Sequence, residues 1–355
     1  MSGFVDVIGL ISGVLGIIQF ASDQFPPTTS VDSTVRVTVG LDTNGGLDNG
    51  GGDLPDIRLF NEAGTFLGLA QDPGKVENGG FADVVIKHEG KSTQQPTYAL
   101  FSANNDAICI AYVTITLPSA DKYSWVGDWG KQCGASWYYS NVYIGSTGVT
   151  PDCMWIDANN DQPQSGFQVH WPEFFNPPGS SIPADPAGKA EKVDFFCSQQ
   201  PAFKYYNFAE NQDPRDVAVW PPKAGRSEEG LETREPLIGY GKPKQVESAK
   251  FRRETTEKRQ AADPQAGRLV VSDNEKHSAE ELCQSKTSKG PDFVNTATGT
   301  FCRMSDKKQF SVCDASIKDN CFSMDTKEVI TGGVSARESP YTQVLDWTAT
   351  KATKV

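Results

Sequence analysis

The chain has 355 residues, a formal net charge of −12 and eight cysteines. That acidity excludes a nucleic-acid binder, whose partner's phosphates demand a basic surface, and it disfavours non-specific adhesion to anionic lipid. A modest apolar fraction with 33 Gly and 22 Pro suits short strands joined by turns, so the expected fold class is mainly β.

Phe4 to Phe20 reads FVDVIGLISGVLGIIQF, with only Asp6, Ser12 and Gln19 as polar breaks. At ~100° per residue it predicts an apolar helix. Val7, Leu10, Ile11, Val14, Leu15 and Ile18 gather on one side, and Gly9, Gly13 and Gly16 with Asp6 on the other. Gly9 and Gly13 form a G-x-x-x-G, which lets two helix backbones approach closely. Gly9, Gly13 and Gly16 with Leu10, Val14 and Ile17 are the expected self-association surface, and a homo-oligomer the expected state. A signal peptide competes with this retained helix, but it lacks a basic start and carries Asp6. A permanent span competes too, at the short limit of ~17–25 residues. Docking on the following domain would explain the bulky face and leave the glycine face unexplained. Pro26 and Pro27 end the element, which makes residues 1–27 the first unit.

Residues 28–210 are expected to form an antiparallel β-sandwich. Val35, Val37, Val39 and Leu41 alternate with polar residues in a strand from Thr34 to Leu41. The loop DTNGGLDNGGGD follows, Asp42 to Asp53. Its carboxylate and amide oxygens on a pliable backbone suit calcium, with Asp42, Asp48 and Asp53 as candidate ligands and no other cofactor indicated. The ligand order and closing Glu of an EF-hand are missing, so an acidic turn is the competing reading. Short strands are predicted at Ile57–Phe60, Thr65–Ala70, Phe81–Lys87 and Tyr98–Ser102, separated by Gly, Pro and Asn turns. The clearest strand is Ile108–Leu117, where Cys109, Ala111, Val113, Ile115 and Leu117 make a wholly apolar face.

Trp125, Trp129, Trp137, Tyr138, Tyr139, Trp155 and Trp171 make the next stretch aromatic. Exposed, they would stack on sugar rings; buried, they would fill the core. The cysteines contain no C-x-x-C pair and accompany only three histidines, so disulfides are favoured over zinc. Cys109, Cys133, Cys153 and Cys197 are expected to pair among themselves, and Cys283, Cys302, Cys313 and Cys321 among themselves, with connectivity open within each set. Disulfides imply an oxidising compartment and hence an extracellular or cell-surface protein. The absence of an N-x-S/T sequon weighs weakly against the secretory route.

The order of features in the sandwich resembles the PLAT/LH2 domain, itself similar to C2 domains. The shared features are a V-x-V-x strand, a Gly/Asp loop, an x-L-F-x-x-x-G hairpin and a G-x-F-x-D strand. That likeness implies a sandwich that meets lipid or protein partners. A second resemblance lies in NDAICIAYVTIT, GDWGKQCGASWYYSN and CMWIDANN, and in Ser278 to Phe322. These are similar to a set of proteins widespread in filamentous ascomycete fungi. The resemblance implies secretion for many of them and supplies no catalytic residues to carry over. The glycine-faced amino terminus departs from their ordinary signal peptide.

The segment 211–266 loses its hydrophobes and is expected to be a charged, poorly ordered linker, with a dibasic pair at Lys258-Arg259. Residues 267–355 form a cysteine-rich module whose apolar residues are too few to stand alone. Two disulfides, or docking on the sandwich, would make up the difference. Tyr341, Val344, Leu345 and Trp347 are its expected tail anchor. His88, His170 and His277, with Asp152, Asp157, Asp161 and Glu173, fall into no hydrolase, metalloprotease or nucleotide signature. Two functional classes stand: a non-enzymatic binding or structural protein that self-associates, and a secreted hydrolase or lectin acting on wall polysaccharide. A membrane-inserting, toxin-like protein is the third alternative.

Overall fold

The structure, a computed structural model, describes residues 4–11, 13–29, 31–42, 50–91, 94–197, 202–219, 265–332 and 341–348. It opens on β1 (Phe4–Ile11) and β2 (Val14–Ala21). Then come β3 (Ser33–Val39), β4 (Gly52–Asp53), β5 (Asp56–Phe60), β6 (Phe66–Ala70), β7 (Lys75–Val76), β8 (Phe81–Ile86), β9 (Tyr98–Ser102) and β10 (Ile108–Thr116). β11 (Lys122–Val126) leads into α1 (Asp128–Gln132), β12 (Trp137–Tyr138), β13 (Cys153–Ile156) and β14 (Gln164–His170). α2 (Trp171–Phe174), α3 (Pro186–Cys197) and β15 (Phe203–Asn207) complete the first lobe.

Two antiparallel sheets face each other. One runs β12-β13-β10-β3-β8, with β11 on the far half of β10; the other runs β15-β14-β9-β5-β6. The short pair β4-β7 lies apart. Trp125 on the first sheet stacks at 4.8 Å on Phe167 of the second, with Phe101 and Phe203 beside them. The expected β-sandwich is therefore present, and its strands lie within a few residues of the predicted bounds.

The amino-terminal helix is not. Phe4 to Ala21 is a hairpin whose register pairs Ile11 with Val14, Leu10 with Leu15, Gly9 with Gly16 and Ile8 with Ile17. The β-branched content of the run (Val5, Val7, Ile8, Ile11, Val14, Ile17, Ile18) favours strand, and Gly13, at a φ of 73°, lies at the turn between the two strands. The 3.6-residue face assumed for self-association therefore does not exist. Gly9 and Gly16 instead leave room for bulky neighbours. A Cβ on Gly9 would meet Ile18 at 2.5 Å, and one on Gly16 would meet Ile11 at 3.1 Å.

The hairpin lies against the first lobe. Val7, Ile8, Leu10, Leu15, Ile18 and Phe20 are buried in the main core. Trp129 Nε1 donates to Ile8 O at 3.2 Å, and Phe20 meets Tyr112 edge-on. The chain after it crosses the outer face of β10: Tyr112 Oη donates to Gln24, Thr114 to Gln24 O and Thr116 to Pro26 O. That cover is why both faces of β10 are buried, not only the apolar one.

The start of the expected linker also behaves otherwise. Residues 211–219 strap the outer face of the second sheet, where Ser102 donates to Pro214 O and Gln168 exchanges hydrogen bonds with the backbone of Ala218. Residues 220–264, including Lys258-Arg259, lie outside the described residues.

The second lobe holds β16 (Arg268–Ser272), α4 (Ala279–Gln284), β17 (Asp292–Asn295), β18 (Thr300–Arg303), β19 (Lys308–Val312), β20 (Cys321–Ser323), β21 (Glu328–Ile330) and β22 (Gln343–Asp346). They form one sheet in the order β21-β20-β19-β18-β17-β16-β22. Its hairpin turns each pass through one residue at positive φ: Gly299, Lys307 and Lys327. Phe301 stacks on Phe322 at 4.0 Å in its own small core. The tail docks as expected, with β22 parallel to β16 and Trp347 buried.

All eight cysteines pair within their two sets: Cys109–Cys153, Cys133–Cys197, Cys283–Cys302 and Cys313–Cys321. Four disulfides suit an oxidising environment.

Candidate functional site

Two features stand out on the first lobe, one made of backbone and one of charge. The first is the outer edge of β2. A two-residue hairpin makes Ile11–Val14 its closing hydrogen-bonded pair, so alternate residues Leu15, Ile17, Gln19 and Ala21 turn their N–H and C=O groups outward. The corresponding edge of β1 is occupied: Asn176 N donates to Asp6 O, and Trp129 donates to Ile8 O. Among the described residues nothing bonds the outward backbone groups of Leu15, Ile17 and Gln19, and the only strand partner of β2 is β1, while the Ala21 carbonyl opens the short 3-10 turn Ser22–Gln24. Val14 on β2 is 53% exposed beside that edge, as is Phe4 across the ladder on β1. A groove of about 500 Å³ separates the start of β2 from α3, walled by Val14, Leu15, Ala190 and Val193.

The residues once expected on a helix face thus scatter. Leu10 is buried, Ile17 half-buried and Val14 exposed. Gly13 sits at the turn with a φ of 73°.

The second feature is a charge cluster under the hairpin tip. α1 offers Asp128 and Lys131 from one face, three residues apart, and the residue before Cys153 is Asp152. Lys131 Nζ lies 2.9 Å from Asp152 and 2.9 Å from Glu281 of the second lobe. It also rests 3.9 Å above the ring of Trp137. Tyr139 Oη donates to Glu281 and accepts from Ser278 N, while its ring stacks on His277. A pocket of about 240 Å³ opens over this group, with Leu10 and Ile11 as its apolar wall.

Burial, then the charge of Asp152, holds the Asp128 carboxyl well above the usual carboxylate range. Burial also raises Asp152, opposed by Lys131. For Lys131 burial pulls down, but the charges of Asp152 and Glu281 outweigh it, and the ammonium sits above its ordinary value. Asp128 Oδ2 is buried with no hydrogen-bond partner.

No family model and no curated protein matches the chain. Nothing about function is therefore inherited from a relative, and the site has to be read on its own geometry.

The other candidates do not converge. Asp42 is buried and accepts from Asn141, Asp53 pairs with Lys75 at 2.8 Å, and Asp48 lies outside the described residues. No group of three or more His, Cys, Asp or Glu that would hold a metal occurs among the described residues. Asp157 caps the turn at Asp161 and Gln162, Glu173 stands near His170, and Asp152 alone joins the cluster. His88 contacts Ser33, His170 contacts Glu62, and His277 contacts Ser272, each in a separate place. Trp125, Trp129, Trp137, Tyr138, Tyr139, Trp155 and Trp171 are all at most 2% exposed, so they are core and present no stacking face. No helix among the described residues is long and apolar enough to cross a membrane.

Sequence reasoning missed Asp128, Lys131 and Glu281. The D-x-x-K spacing of Asp128 and Lys131 was a readable signal, while Glu281 is 150 positions from Lys131 and left none.

Proposed function

We propose that the chain is a non-enzymatic extracellular or cell-surface protein that associates with copies of itself through the outer edge of β2. The observation that carries this is the row of outward backbone groups along β2, open to solvent at half-buried Ile17 and exposed Gln19, while Leu15 at its start is buried. Natural edge strands are usually blunted by lysine, proline or a bulge, because an open edge templates another strand. β2 has no charged residue, no proline and no register shift. A second copy supplies the same strand in reverse, so antiparallel β2–β2 pairing across a two-fold axis satisfies both edges at once. The groove beside α3 leaves room for an incoming chain. The likeness to fungal secreted proteins supports the same compartment.

Weak calcium binding at Asp42, Asp48 and Asp53 belongs to this reading, since Asp42 and Asp53 already hold protein partners. A polysaccharide or membrane surface would have to be met elsewhere than on the buried aromatic stretch.

The test uses light scattering over a range of protein concentration. Gln19→Pro removes one outward N–H and leaves the β1–β2 ladder intact; Ile17→Lys adds a charge beside the edge. The wild type is expected to run as an oligomer and both variants as monomers with an unchanged circular dichroism spectrum. A monomeric wild type, or a Gln19→Pro variant as large as the wild type, would overturn the proposal.

A further inference from the structure

We propose that the loop between β13 and β14 binds a calcium ion through the carboxylates of Asp157 and Asp161. Residues 157–162 read DANNDQ, which sets Asp157, Asn159 and Asp161 at alternate positions. That D-x-N-x-D spacing lets a curled chain turn three oxygen-bearing side chains toward one centre. The loop parts from an EF-hand in two places. Gln162 stands where the glycine would, and the positive φ falls instead on Asn160, at 74°. Gln168 stands where the closing Glu would, and its side chain is engaged by Tyr206 and the backbone of Ala218. The loop itself and water therefore have to supply the ligands, which sets a modest affinity.

The observation that points to an ion is Asp157. Its side chain is fully buried at the end of β13. Oδ2 accepts from the backbone N–H of Asp161 at 2.6 Å and of Gln162 at 3.2 Å, so the loop is wrapped around the carboxyl group. Oδ1 beside it is buried and has no hydrogen-bond partner. Gln162 Oε1, on the same loop, is a second buried oxygen without one. While Asp157 is ionised both atoms are acceptors, and neither can satisfy the other. Asn159 is turned to suit: its Nδ2 donates outward to Asn105 O at 2.7 Å, and its Oδ1 accepts from Asp161 N inside the loop.

Burial raises the Asp157 carboxyl above its ordinary range, and the charge of Asp161 adds to that against the loop's own N–H groups. A carboxyl so placed takes up either a proton or a cation. Asp161 decides between them. It is exposed and its charge reaches Asp157, yet among the described residues no lysine, arginine or histidine pairs with either carboxylate. A proton on Asp157 would leave Asp161 as it is, whereas one divalent cation neutralises both. The donors are all oxygens, with no Cys or His in the loop, which selects a hard cation over zinc or copper. Calcium needs no third carboxylate, because amide oxygens, carbonyls and water fill its shell.

Isothermal titration of calcium chloride into chelator-stripped, disulfide-intact, full-length protein tests this. One saturable site is expected, with a Kd of about 10⁻⁴–10⁻³ M, the range of extracellular modules. Asp161→Asn changes an exposed side chain and should weaken binding at least tenfold with an unchanged circular dichroism spectrum. Asp157→Asn should weaken it as much, and Asp53→Asn, in the acidic loop after β3, should leave it as it was. No saturable binding by the wild type up to about 10 mM, ten times the weak end of that range, would mean that Asp157 holds a proton or a water and would overturn the proposal. Binding that survives Asp161→Asn overturns it too, and if Asp53→Asn abolishes that binding, the calcium belongs to the other loop.

Discussion

Gly13 lies at a φ of 73° with nothing within 4 Å of where a Cβ would stand. The need for glycine there is thus one of backbone alone, since an L-residue in the left-handed region costs roughly 1–2 kcal/mol. Gly13→Ala is expected to lower stability by about that amount, measured by denaturant titration. An unchanged midpoint would show that the turn is not held in that conformation. Gly9 differs, because its cost would come from the Ile18 and Val126 side chains that close over it. Gly9, Gly13 and Gly16 were visible in the sequence but misread, since a G-x-x-x-G in an apolar run also fits a helix. The decisive clue was a mirror around Ser12-Gly13: Leu10 against Leu15, Gly9 against Gly16, Ile8 against Ile17. Helical periodicity averages over that symmetry. The charge cluster was legible only on its α1 side, because a contact between lobes depends on packing that no local pattern records.

At the scale of elements, alternation located the strands well because one face of each sheet really does meet the other. It did not reveal that the outer faces are covered as well. The hairpin with the chain just after it lies over one sheet and residues 211–219 over the other, which turns half-buried strands into fully buried ones such as β9, β10 and β14. Neither cover has a regular period, and the second lies in a segment poor in hydrophobes. Tyr206 pins the second cover, donating to Gln168 Oε1 at 2.6 Å and to Asp216 O at 3.2 Å. Burial pushes its phenol up to about 12, with Asp216 adding to the effect. The folded protein therefore holds this proton more tightly than the unfolded chain, whose tyrosine releases it near the ordinary value of 10.0. The stabilisation is complete below that ordinary value and is lost as pH rises through the folded one. Subtracting the alkaline absorbance titration of Tyr206→Phe from that of the wild type should isolate one phenol with a midpoint near 12. A midpoint at the ordinary tyrosine value would mean that the cover is not seated on Tyr206.

For the molecule as a whole, the question is whether the two lobes behave as one. Their division was readable from the two cysteine sets, and so was the second lobe's need for help, because its large apolar residues are few. How that help arrives was not. Four aromatic side chains of the first lobe sink their rings into shared core and spend their polar ends on the second. Trp137 Nε1 donates to Ser285, Tyr138 Oη to Pro291 O and Trp155 Nε1 to Lys289 O, while Tyr139 Oη accepts from Ser278 N. Val270, Leu282, Phe293 and Trp347 join the same apolar cluster as the sandwich interior. Separation would expose that cluster and leave buried polar ends unpaired, so the lobes should unfold together. The closest approach is at Gly290, where a Cβ would stand 2.3 Å from the ring of Tyr138. That ring is fully buried and cannot yield, so Gly290→Ala should force the lobes apart at the seam. The expected cost is about 1–3 kcal/mol, as for overpacking a filled core. Calorimetry on disulfide-intact protein should show one transition for the wild type and, for Gly290→Ala, an earlier melting of the second lobe that splits it. Two transitions in the wild type would mean that the aromatic seam is a contact and not a common core. An unshifted Gly290→Ala would mean that the seam is looser than the ring contact requires.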